Sequence, residues 1–240
     1  MSSTTDDPVL FGPAGGPPVG DDRARLLEAV QPYCLRHALA LGGRDALRLH
    51  GLAVGRGSGL VLIATEGPLL TDLATGLAET LRAAGHPVHE EPGTARRVPL
   101  AGARWPVELR KEPLRHPPRL LGAPVPVIDL EDAAALAVLA LCDRALPGDL
   151  AALHALTARF REGELVALAT ALDEDFSTQV LADRLETAAS LAADRTLQGW
   201  AEAWAQDLRL DSLETTELAD GLHDPYLEEI PEDPDPPDDL

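Results

Sequence analysis

The sequence predicts an α/β fold: a mixed sheet with flanking helices, followed by an all-α helical half. Three observations predict it. Leu60-Val61-Leu62-Ile63-Ala64 is a short apolar run with the length and β-branching of a buried strand. Residues 86–128 break into short segments punctuated by Pro and Gly, such as HPVHEE, RRVPLAG and VPVIDL. Within them Trp105, Val107 and Leu109 alternate with Pro106, Glu108 and Arg110, so Glu108 points away from the Val107 face. From Leu130 onward the apolar residues recur at helical spacing.

Composition narrows the classes. A chain of 240 residues can hold one good core or two small ones sharing an interface. Aromatics make up only 3%, so the core must be Leu, Ala and Val, which favours helices packed through small residues. The net charge of −20 repels phosphate backbones and argues against nucleic acid as a partner. Part of that charge is local: residues 228–240 carry seven acids and no base. Cys34 and Cys142 both fall in apolar helical patterns and read as free buried thiols. No apolar run approaches the roughly 20 residues of a membrane span, and MSSTTDDPVL is no secretory signal. The expectation is a cytoplasmic protein with no membrane partner.

The elements follow in order. Residues 1–22 are polar and then Gly/Pro-rich, the composition of a disordered leader. Asp21 or Asp22 can cap a helix whose face carries Leu26, Leu27, Val30, Cys34, His37 and Ala38, kinked or restarted at Pro32. The glycine pair Gly42-Gly43 opens a short helix through Ala46, Leu47, Leu49 and His50, and Gly51 can end it. After strand 60–64, Leu70, Leu73, Leu77 and Leu81 mark an amphipathic helix stopped by Gly85. Pro106 confines its segment to an edge strand or places it at a strand start. His86 and His89 lack a third ligand and read as surface residues. LEDAAALAVLALCDRAL, residues 130–146, is apolar nearly all round, which predicts a central buried helix with Asp129 near its cap and a break at Pro147-Gly148. Helices 149–156, 164–172, 178–191 and 197–208 follow, with Trp200 and Trp204 on one face. The boundaries expected are 23–128 for the α/β domain, 129–215 for the helical domain, and 216–240 for an acidic disordered tail.

The order of elements, His50-Gly51-Leu52, Val107-Glu108-Leu109, Arg115-His116-Pro117-Pro118 and the run Leu130–Leu156 together resemble nucleotidyltransferase-fold proteins. The chain is most similar to the AbiEii-like toxins of type IV toxin–antitoxin pairs, over roughly residues 30–190. The resemblance implies a nucleotidyltransferase-like sheet domain and a two-metal transfer. An Asp-x-Asp pair on the first strand and a third carboxylate would hold two Mg²⁺ against a nucleoside triphosphate.

Most of those slots hold other residues. Counted from His50, the acid pair falls on Gly59 and Val61; shifted by one, on Leu60 and Leu62. Glu108 fills the third carboxylate slot. The family's helix lysine falls on Ala137, and its following arginine is present as Arg144. Of its Arg-Asp pair, the arginine falls on Gly148 and the acid is kept as Asp149, while a later acid falls on Ala152. The implied reading is a degenerate member without catalysis, metal or cofactor, acting as a binding or regulatory partner of another protein, such as a neighbouring antitoxin-like protein. Its residual binding residues would be Gly42, Gly43, Arg56, Ser58, Glu108, Arg144 and Asp149. Arg56 with the amides of Gly57 and Ser58 can hold an anion. One alternative is an active Mg²⁺-dependent enzyme rebuilt around Glu108, Asp149 and either Asp45 or Glu66. Another is an interaction scaffold using the helical half and the acidic tail. Ser58 is no nucleophile elbow: Arg56 and Leu60 replace the flanking glycines, and the strand follows the serine.

Overall fold

The computed structural model describes residues 22–55, 57–65, 67–102 and 106–221. Helix α1 (Asp22–Arg36) buries Leu26, Leu27, Val30 and Cys34, residues that share one helical face. It passes through Pro32 as one element. Pro32 and Glu28 both lie on the exposed side, where water can satisfy the carbonyl left by the missing N–H. His37 and Ala38 fall beyond the helix end rather than on its face. Ala38 takes a left-handed φ of 51°, and His37 lies 4.3 Å from the Tyr33 ring.

A strand unforeseen in the sequence, β1 (Ala40–Gly42), comes next, and three residues are too few to show alternation. It runs antiparallel to β2 (Leu60–Ala64), with Gly42 opposite Val61. Between them, α2 (Gly43–Leu49) starts at Gly43, whose φ of +61° makes the turn off the strand. Helix α3 (Leu70–Ala83) buries Leu70, Leu73, Leu77 and Leu81, as its period requires. The sheet is completed by β3 (His89–Glu90), β4 (Arg97–Ala101) and β5 (Val107–Lys111), in the order β1-β2-β5-β4-β3. Among these described strands, only the β2–β5 pair is parallel. Of the two placements open to Pro106, the strand start is the one found. β5 is central, and the Pro106 carbonyl accepts the Leu60 N–H at 2.8 Å. Trp105 lies outside the described residues.

The helical half comprises α4 (Leu130–Arg144), α5 (Pro147–Leu156), α6 (Glu162–Leu172), α7 (Thr178–Leu191) and α8 (Arg195–Gly221). Asp129 caps α4, accepting the Glu131 N–H at 3.1 Å. α4 is less uniformly buried than its apolar sequence suggests: Leu136, Ala137, Leu139 and Ala140 are only partly buried, along two adjoining cavities. Its buried Asp132 accepts the backbone N–H groups of Arg115 and His116, each at 3.0 Å, and so pins the 115–118 segment. Trp200 and Trp204 lie 5.4 Å apart in a seam, and Trp200 Nε1 donates to Glu162 at 2.8 Å. α8 continues to Gly221, past both Leu208 and the expected start of the tail at 216. The expectations for the leader and for residues 222–240 fall outside the described residues. One core runs through both halves, from Leu26 to Leu208.

Both cysteines are free. Burial pushes the Cys34 thiol up to about 12, and burial followed by the Asp143 charge pushes Cys142 up to about 11, so both remain protonated and unreactive near neutrality.

The α1–α3 contact depends on a notch. Tyr33 donates to the Leu73 carbonyl at 2.9 Å, and a Cβ at Gly76 would stand 2.5 Å from its hydroxyl oxygen. Alanine is ordinarily favoured over glycine in a helix interior by about 1 kcal/mol. Gly76→Ala is nevertheless expected to destabilise this chain by about 1–3 kcal/mol through overpacking. In a Tyr33→Ala background the same change should become stabilising. Denaturant titration of the four proteins measures the reversal.

Candidate functional site

Alternation on β2 and β5 builds a cleft. Leu60 pairs with Val107 and Leu62 with Leu109 on the buried face. Val61 pairs with Glu108 and Ile63 with Arg110 on the opposite face, and all four line the cleft. Gly59, two residues before Val61, shares that face. The cleft positions of the strand are therefore 59, 61 and 63, the register counted from His50. Residues of α2, α4 and α5 form the facing walls. The cavity measures about 190 Å³. A wider groove of about 640 Å³ adjoins it and shares Arg110, Leu136, Ala140 and Arg144 with it.

Of the residues singled out in the sequence, Gly43, Ser58, Glu108, Arg144 and Asp149 come together around this cleft. Ala137 and Ala152 also line it. Gly42 packs beside it: a Cβ there would lie 2.8 Å from Ile63 Cγ1, which explains a glycine without any ligand. Arg56 and Glu66 lie outside the described residues. Asp45 is paired with Arg23 at 3.2 Å and is not part of the lining.

The carboxylates are all committed to guanidiniums. Arg97 reaches Glu108 Oε2 at 2.6 Å, and Arg110 Nε donates to its other oxygen. Burial raises the Glu108 pKa, but the two arginines outweigh it and hold the carboxyl below the usual range. Arg144 grips Asp149 with two donors, at 2.7 and 3.1 Å. Among the described residues no group of three or more His, Cys, Asp or Glu side chains could hold a metal. The loop into β2 is tied to α1. The buried Arg23 of α1 donates to the carbonyls of Gly57 and Gly59, both at 2.8 Å. Gly59 itself admits no side chain, because a Cβ would stand 2.4 Å from the Pro106 carbonyl oxygen.

Arg23, Arg44, Arg97 and Arg110 were missed in the sequence. Arg110 was readable in principle, because it is two residues from Glu108 and shares its face. Arg23 acts 34 residues away from the loop it holds, and no local pattern marks it.

Glu108 generates a pH dependence. Its folded pKa is depressed, so its contribution to stability is present above the unfolded value of about 4.3 and lost as pH falls through the folded value. The stability difference between wild type and Glu108→Gln should be constant above about pH 5 and shrink in more acid solution. Urea denaturation across that range measures it.

No family model and no curated protein matches the sequence. Solved structures do. MenT4, a nucleotidyltransferase toxin of Mycobacterium tuberculosis, aligns with a TM-score of 0.51 at 16% identity, covering 78% of this chain and 80% of that one. JHP933 of Helicobacter pylori aligns with a TM-score of 0.47 at 15% identity, covering 85% of this chain and 95% of that one. The mixed sheet with flanking helices and the helical half that follows it have a nucleotidyltransferase-like fold.

Proposed function

We propose that this chain is a degenerate, catalytically inactive protein of the AbiEii type, which serves as a binding or regulatory partner. The observation that carries this reading is the pair of strand positions beside Glu108. Two-metal transfer needs several hard oxygen ligands at one place, offsetting triphosphate charge and steadying the attacking and leaving oxygens. Here the two positions are Gly59 and Val61, and the backbone at Pro106 leaves no room for a side chain at Gly59. Glu108 is bracketed by two guanidiniums, so its oxygens are already occupied. Carboxylates that no longer hold a metal would be an uncompensated burden in a half-buried site, and their loss to Gly, Val and Ala follows.

A rebuilt metal site would need Glu108 and Asp149 with Asp45 or Glu66. Asp45 is turned to Arg23, and the other two are in ion pairs. The partner in this reading is a protein, an antitoxin-like neighbour being one candidate, and the setting is the cytoplasm. Among the described residues no helix is long and apolar enough to cross a membrane.

The test is incubation of the full chain with labelled ATP, GTP and CTP plus Mg²⁺ and either total RNA or protein acceptors. No transfer above a protein-free blank is expected. Transfer that disappears in Glu108→Ala would overturn the reading. Restoring an acid should not restore a metal site either. Gly59→Asp is expected to lower stability by about 1–3 kcal/mol through the clash at Pro106. Thermal melting should show no added stabilisation of that variant by Mg²⁺.

A further inference from the structure

We propose that the cleft holds a phosphate group without any divalent cation, in a cradle formed by Arg44, Arg110 and Arg144. The proposal rests on the reading of a cleft without metal chemistry and names the ligand class of that cleft. Arg44 carries the argument. It follows the Gly42-Gly43 turn and lines the cleft from α2. Among the described residues, no hydrogen bond or ion pair engages its guanidinium. Unlike the other arginines without such a bond, it lines the cleft beside Arg110 and Arg144.

Its position is shaped by a neighbour. A Cβ at Gly148, in the first turn of α5, would stand 2.9 Å from Arg44 Nη1 and 3.2 Å from Nη2. Glycine at 148 is therefore what leaves room for the guanidinium. Position 148 is also where the resemblance puts an arginine. Arg44 brings a guanidinium to that place from α2.

The other two arginines have donors to spare. Arg110 spends Nε on Glu108, and Arg144 spends Nε and Nη2 on Asp149. Both Nη groups of Arg110 and Nη1 of Arg144 are engaged by no described residue. Three arginines against the two carboxylates Glu108 and Asp149 leave the lining one charge positive, in a protein that is strongly negative overall. Guanidiniums present planar forks that match phosphate oxygens, and several around one anion can supply the countercharge a metal would otherwise give. The cavity of about 190 Å³ is below the roughly 300 Å³ at which ordinary small-molecule pockets begin, so a single phosphate suits it. The remainder of a phosphate monoester would lie in the adjoining groove.

Calorimetry with inorganic phosphate, adenosine monophosphate and O-phosphoserine, each in EDTA, tests this on the full chain. Binding is expected in chelator and should be unchanged by added Mg²⁺. Arg44→Ala should weaken it by about tenfold or more, and Arg44→Lys, a point charge without the fork, by less. Gly148→Val removes no charge but displaces the guanidinium, and should weaken binding comparably. Equal thermal midpoints for these variants would exclude misfolding as the cause. The ranking of the three ligands identifies whether a free phosphate, a nucleotide or a phosphorylated amino acid is preferred, since all three depend on Arg44. No phosphate binding in EDTA, or equal binding by Arg44→Ala, overturns the cradle and leaves the inactive reading standing. Nucleotide transfer in the assay above overturns the inactive reading instead.

Discussion

The parallel pairing of β2 with β5 is the constraint on which the rest of the structure depends. It sets Val61 beside Glu108 and Ile63 beside Arg110 on one face, and Leu60, Leu62, Val107 and Leu109 on the other. A slip of one residue would send Glu108 and Arg110 into the apolar layer under α3 and turn leucines into the cleft. Parallel strands cannot be joined by a tight turn, so the chain must cross over between them. It does so through α3 and the β3–β4 hairpin, which places α3 over the apolar face and leaves the polar face open to α4 and α5.

On that open face the electrostatics are those of an arginine-lined cleft. Each carboxylate has a guanidinium partner, and Arg110 and Arg144 keep donors beyond those pairs. Glu108 is ionised because two arginines outweigh its burial. The same reasoning accounts for Arg23 and Asp132, which are buried charges tolerated because backbone groups meet them. Arg23 holds the two carbonyls of the loop leading into β2, and that loop lines the cleft.

α4 joins the halves. One side packs on α2, α5, α6 and α7, and the other lines the cleft and groove. This dual duty explains a helix that is apolar nearly all round yet only partly buried at Leu136, Ala137, Leu139 and Ala140. Alanines elsewhere in the helical half, such as Ala182, Ala189, Ala201 and Ala205, let α7 and α8 approach closely.

Elements with a repeating pattern were legible in the sequence. The leucine stripe of α3 repeats a helical spacing, while strand 60–64 and the helix from Leu130 were legible as short and long apolar runs. β1 was not legible, because three residues hold no period, and the length of α8 was not, because its acidic C-terminal turns lack an apolar stripe. The site divides in the same way. Glu108, Arg144 and Asp149 stood out in the local sequence and line the cleft, while two registers stayed open for the first strand. Tertiary structure alone decided that the cleft-facing register is 59 and 61, that Gly59 is closed by the Pro106 carbonyl, and that Arg44 stands where a side chain at 148 would be. Sequence patterns report what a residue does within its own strand or helix. Which guanidinium meets which carboxylate, and which backbone blocks which side chain, is set by contacts between segments far apart in the chain.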